Sequence, residues 1–198
     1  MHPKGDRELE IIRNTLPEEA RPYVQINKQG LIDYDLLKQY TGASNNYLSL
    51  LEMVNNTQTV SVTVSDSFIY SDRQGVLRKG ELSYQEGYPE LMDSNIEIVS
   101  GLTTGEGGNY GKTLFPDRIG IQNSSTNDIE IYLPPLLSPI GAAEAFSHEG
   151  YGHALLYMIN GNDHEAASHK TQGMTETNVE LKRRILSARK ETINNLRQ

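Results

Sequence analysis

No cysteine occurs among the 198 residues. Disulfides and thiolate-bound metals are thereby excluded, and any metal held by this chain must be bound through histidine and carboxylate side chains. No stretch approaches the roughly 18 apolar residues that a membrane-spanning helix requires. Positive charge is scarce: 18 Lys and Arg stand against 26 Asp and Glu, a formal net charge of −8. A chain so balanced repels phosphate backbones unless a local basic patch overrides it. The one dense basic stretch, Lys182, Arg183, Arg184, Arg189 and Lys190, is flanked by Glu180 and Glu191 and reads as a solvated helix face. Neither nucleic acid nor a membrane is therefore an expected partner. Residues 1–10 are polar and lack the apolar segment of a secretory signal. That leads us to expect a cytoplasmic protein, one delivered by another route, or a domain of a larger polypeptide.

A chain of this length buries a sizeable core without covalent staples. Its first part reads as helical. Residues 6–16 carry Ile11, Ile12 and Leu16 on one face, residues 33–40 form a short helix, and residues 44–54 place Tyr47, Leu48, Leu51 and Val54 at helical spacing behind Ser44 as N-cap. The pattern then changes period. Residues 57–70 alternate in twos and read as a strand or a kinked pair, and residues 72–75 as a hairpin turn into 76–78. Residues 79–112 are a long glycine-rich loop that holds Glu106. Residues 113–115, 119–121 and 128–133 read as short strands. Ser138 then caps a helix with Pro139 at its first position, running to about Asn160 with Gly161 as its stop. A last helix starts near Thr177, with Thr177 and Glu180 spaced as a capping box. The division that follows is a helical N-terminal arm at 1–56 and a catalytic domain at 57–198, together one compact unit.

The chemistry concentrates in the 139–160 helix. Four of the five histidines, His148, His153, His164 and His169, lie in one short stretch, and Glu149 follows the first. Amide hydrolysis near neutral pH needs a strong nucleophile and a Lewis acid, and zinc supplies both. Three protein ligands leave a fourth position open, and a carboxylate beside the first ligand can carry the proton from water to the leaving amine. The His-Glu-x-x-His helix is the familiar solution. Here the two histidines are five residues apart. On a regular α-helix that spacing turns the rings about 140° away from each other. A π-bulge, which absorbs one extra residue, restores a common face. Gly150 and Gly152 lie between them, each costing about 1 kcal/mol against alanine in a helix, and a local distortion or a close backbone approach explains their presence.

For a third ligand, His164 follows too soon. The helix runs about 12 Å past His153, and the three residues after Gly161 cannot bring the chain back. His169 and Glu176 are both within reach, with His169 preferred. Tyr151 and Tyr157 read as core rather than as oxyanion donors, and Ser147 lacks the surroundings of a nucleophile elbow.

The segment His148-Glu149-Gly150-Tyr151-Gly152-His153 is similar to the His-Glu-x-x-Gly-His pattern of dipeptidyl peptidase III. That resemblance covers six residues and implies His148 and His153 as zinc ligands and Glu149 as base. The paired-glutamate motif that follows in that family has no counterpart here. A longer stretch resembles the strand and active helix of zincin-like domains at the C-termini of bacterial Rhs-type toxins. It comprises residues 128–133, Leu137-Ser138-Pro139 and Ala143-Glu144-Ala145-Phe146-Ser147-His148-Glu149, continuing at Glu176-Thr177-Asn178 and Glu191-Thr192-Ile193-Asn194-Asn195. This second resemblance implies a zincin fold, an effector-like origin, and a parent toxin polypeptide or immunity protein as partners.

The expectation is an α+β, zincin-like domain with a small, mostly antiparallel sheet over the active-site helix and a C-terminal helix. Its edge strand, 128–133, would pair with an extended peptide or protein substrate. Zn2+ would be held by His148, His153 and either His169 or Glu176, with Glu149 as general base. The rivals are a non-catalytic or degenerate metal-binding domain and a metal-dependent nuclease toxin, the latter opposed by the acidic balance.

Overall fold

The computed structural model describes residues 1–82, 111–117, 122–123, 127–169 and 178–197. The helices of the first part form where the apolar spacing places them. Helix α1 (Asp6–Asn14) buries Leu9, Ile11 and Ile12, and a 3-10 turn at Glu18–Tyr23 follows. Helix α2 (Tyr34–Leu37) is capped by Asp33. Helix α3 (Asn45–Asn55) is capped by Ser44, whose hydroxyl accepts from the Tyr47 N–H at 3.1 Å; such a cap is worth about 1 kcal/mol.

The alternating segment resolves into the kinked pair. Strand β2 (Val60–Val64) and strand β3 (Ser67–Ser71) belong to different sheets. The Asp72 carboxylate accepts from the N–H groups of Gln74 and Val76, both at 2.9 Å, and Gly75 takes the positive φ of +77° that the turn into β4 (Leu77–Glu81) demands. Residues 79–81, expected in the long loop, are thus strand. The rest of that loop, with Glu106, lies outside the described residues, as do residues 119–121. Strands β5 (Lys112–Leu114), β6 (Gln122–Asn123) and β7 (Ile129–Leu133) follow, and the short β1 (His2–Pro3) completes the set.

Among the described residues there are two sheets, a four-stranded one in the order β1-β2-β7-β5 and a three-stranded one in the order β4-β3-β6. The larger sheet corrects two expectations. It is mixed, because β1 and β7 both run parallel to β2 and only β5 is antiparallel to its neighbour; the smaller sheet alone is antiparallel. Segment 128–133 is not an edge: β7 pairs on both sides, and among the described residues β5 is the last strand beyond it. Its composition explains the placement. Ile129, Ile131 and Leu133 are fully buried and alternate with the partly buried Glu130 and Tyr132, each apolar side chain contributing about 1.5–3 kcal/mol on burial. In register with them, Val60 and Val62 of β2 are equally buried.

One helical run covers this apolar face as α4 (Pro139–Phe146), a π segment (Ser147–Ala154) and α5 (Leu155–Ile159). Ser138 caps its start by accepting from the Gly141 N–H. Its end is a left-handed reversal at Gly161 and Asn162, and the Asn162 N–H donates back to the Tyr157 carbonyl at 2.8 Å. Helix α6 (Val179–Leu196) packs on the π segment through Leu181 and Ile185. Its cap is Asn178, whose side chain accepts from the Leu181 N–H, rather than Thr177, which lies outside the described residues. Glu180 is engaged instead with Arg183 and Arg184. Ile12, Leu16, Leu50 and Met53 join Ile131, Tyr151, Leu155 and Ile185 in one core cluster, so segment 1–56 is part of the body that supports the helix. Among the described residues no helix is long and apolar enough to cross a membrane.

Candidate metal centre

The five-residue spacing is accommodated as the sequence suggested. The backbone widens to π geometry from Ser147 to Ala154, and the Leu155 N–H reaches back five residues to the Gly150 carbonyl. The rings of His148 and His153 consequently share a face, with centroids 5.2 Å apart. The two glycines have separate causes. A Cβ on Gly152 would stand 2.5 Å from Cγ1 of Ile185, so its absence lets α6 close on the π segment. A Cβ on Gly150 would press on the Phe146 ring at 2.9 Å.

Polar groups on the back of the segment hold it. The Ser147 hydroxyl donates to the Ala143 carbonyl and contacts the Thr192 hydroxyl at 2.6 Å. The Asn46 amide bridges Thr192 and the Thr15 carbonyl, and the Tyr151 hydroxyl meets Thr15 Oγ1 at 2.7 Å. Ser147 and Tyr151 are therefore structural. So is Tyr157, which stacks on Phe115 and binds Asp117 through its hydroxyl.

His169 is the third member. Its Nε2 lies 3.3 Å from that of His148 and 2.9 Å from that of His153. One donor atom from each of the three histidines falls within 4.8 Å of the others. The chain returns because the loop after α5 is pinned repeatedly. Asp163 accepts from the Glu165 and Ala166 N–H groups, Ala167 is fully buried, and the Asn178 N–H donates to the His169 carbonyl at 2.9 Å. His164 is not in the cluster and sits instead between Asp117 and Glu165, 3.8 and 2.9 Å away. Glu176 lies outside the described residues.

The donor set suits a metal ion. Nδ1 of His153 approaches the Ala167 carbonyl at 2.5 Å. A carbonyl only accepts, so Nδ1 carries the hydrogen and Nε2 turns its lone pair inward. Burial pushes the His148 ring well below the usual histidine range, and the adjacent rings of His153 and His169 and the charge of Arg189 act in the same direction. A neutral imidazole is the form that ligates. Tetrahedral zinc with bonds of about 2.0–2.1 Å places its ligand nitrogens about 3.3 Å apart, close to the 3.3 and 2.9 Å that separate His169 Nε2 from those of His148 and His153. These three histidines could hold a metal ion.

Glu149 stands beside them, only 8% exposed. Its carboxyl is pushed above the usual carboxylate range by burial, opposed first by the Thr113 hydroxyl and further by the charges of Lys112 and His169. Sequence reasoning missed Thr113, which it read only as strand. It also missed Arg189, assigned to a solvated face: the side chain is mostly withdrawn from solvent and bonded to Glu144 at 2.8 Å, with 12% and 6% of the two side chains exposed. Glu144 precedes His148 by one helical turn, and that spacing was the available signal.

Compared with known proteins, the chain matches no family model, no curated protein and no solved structure.

Proposed function

We propose that this chain is a zinc-dependent hydrolase acting on peptide bonds, of zincin type. The observation that carries the reading is the convergence of three imidazole nitrogens with the Glu149 carboxylate adjacent in sequence to the first of them. Imidazole donors suit zinc among other transition metals, and zinc is the choice that serves hydrolysis, with three protein ligands and one open position. His148, His153 and His169 would hold the ion, which when bound supplies Lewis acidity and lowers the pKa of a water. Glu149 accepts the proton of the attacking water and returns it to the leaving nitrogen. The peptide reading is supported by β5, which among the described residues is the last strand of the sheet and bears Thr113, whose hydroxyl meets Glu149. An extended substrate laid along that strand would place its backbone next to the base.

The test is metal content by elemental analysis together with cleavage of casein and of mixed-sequence quenched fluorogenic peptides, in the wild type and in Glu149→Gln. The expected result is about one zinc per chain in both, with hydrolysis at least about 100-fold slower in the variant. Zinc bound without hydrolysis in either would establish the non-catalytic metal-binding alternative, and full activity in Glu149→Gln would remove the proposed base.

A further inference from the structure

We propose that strand β5 and the residue before it aim the catalytic carboxylate, with Thr113 and Gly111 reserving one oxygen of Glu149 for the protein and leaving the other for the reacting water. The proposal rests on the hydrolase reading above. The Thr113 hydroxyl lies 2.5 Å from Oε2 of Glu149 and 3.3 Å from the Glu149 carbonyl oxygen. A hydroxyl has one hydrogen to give, and the shorter, charge-assisted contact takes it. Thr113 is only 5% exposed, so bulk water cannot readily substitute for its hydrogen.

Gly111, the residue just before β5, meets the same glutamate side chain. A Cβ at that position would stand 2.7 Å from Cγ of Glu149 and 3.2 Å from Oε1. The stem and the second oxygen of the glutamate therefore occupy space that any other residue at 111 would fill. Together the two positions form a socket: a donor that fixes Oε2 and a gap that admits Cγ and Oε1.

A general base works only when its accepting oxygen is within hydrogen-bond reach of the proton it takes, and a displacement of about 1 Å can cost 100-fold in rate. A glutamate has three side-chain torsions to fix, and the socket fixes them before substrate arrives. Thr113 is thus a positioning residue, acting through Glu149.

The experiment compares the zinc-loaded full chain with Thr113→Val, Thr113→Ser and Gly111→Ala on the casein and peptide substrates. Thr113→Val keeps the shape and removes the donor. Its kcat should fall about 10- to 100-fold, with KM and zinc stoichiometry unchanged. Thr113→Ser should stay within about twofold of wild type, and Gly111→Ala should fall as Thr113→Val does. A parallel measurement needs no turnover. In the metal-free protein, the shifts in urea midpoint caused by Thr113→Val and Glu149→Ala should be non-additive in the double variant. Wild-type kcat in Thr113→Val, loss of zinc in proportion to activity, or additive midpoints would each overturn the socket while leaving the hydrolase reading intact. A zinc-loaded wild type that cleaves nothing would instead remove the hydrolase reading, and this proposal with it.

Discussion

The ring of His153 is tied to the backbone of the loop that delivers His169: Nδ1 of His153 donates to the Ala167 carbonyl across 2.5 Å. One hydrogen bond thereby sets the tautomer of a helix histidine and the position of the histidine that meets it. Outer hydrogen bonds of this kind typically change metal affinity by about 10- to 100-fold.

The donor set should be separable by single substitutions. His169→Ala should weaken zinc binding by more than the roughly 100-fold range of an outer-shell change, measured by competition with a fluorescent chelator. His164→Ala should leave zinc affinity within about threefold of wild type, because His164 faces Asp117 and Glu165 instead. Equal losses in the two variants would contradict the cluster.

Gly152→Ala sets two effects against each other. Helix propensity favours alanine by about 1 kcal/mol. The new Cβ would stand 2.5 Å from Ile185 Cγ1, and overpacking of a filled interior costs about 1–3 kcal/mol. Packing wins, so urea unfolding should show a net loss of about 1 kcal/mol. In an Ile185→Ala background the obstruction is gone, and the same substitution should become stabilising.

The Glu144–Arg189 pair, with its carboxylate buried and its guanidinium partly so, gives a pH signature. Burial pushes the Glu144 carboxyl above 4.5, and this outweighs the opposing pull of Arg189. Removing the guanidinium in Arg189→Ala raises it further and should destabilise the fold by about 3 kcal/mol near neutral pH. For a group whose folded pKa is raised, the folded state binds the proton more tightly. Stability is intact below the unfolded pKa and is lost as pH rises through the folded one. The deficit of Arg189→Ala should therefore be small near pH 4 and grow towards pH 8, as read from urea midpoints. Replacing both residues with apolar ones, Glu144→Leu with Arg189→Met, should come within about 1 kcal/mol of wild type.

Local features of this molecule were legible in the sequence, and arrangement across the sheet was not. The five-residue gap between His148 and His153 and the two glycines within it pointed to the π segment, because a regular helix cannot bring those rings together. Ser44 and Ser138 announced their helices through side-chain chemistry that acts within three residues. Strand order obeys contacts far apart in the chain. Nothing in residues 128–133 revealed that β2 would run parallel on one side and β5 antiparallel on the other. Thr113 looked like any strand threonine because its meaning depends on Glu149, 36 residues away. Arg189 was misread because charge run and exposure usually coincide, and here the rotation of α6 turns one member of the run inward to Glu144.

His148 and His169 are 21 residues apart, with His153 between them. An ion held by all three would close a short loop, and closing a short loop restricts the unfolded chain less than joining distant segments does. Its influence would be regional, binding the 161–169 segment to the helix while the core of Ile12, Ile131 and Leu155 folds on its own apolar contacts. Chelation would then release a single cooperative unit rather than the whole molecule. Backbone amides around Ala167 would exchange with solvent much faster, and those of β2 and β7 would keep their protection.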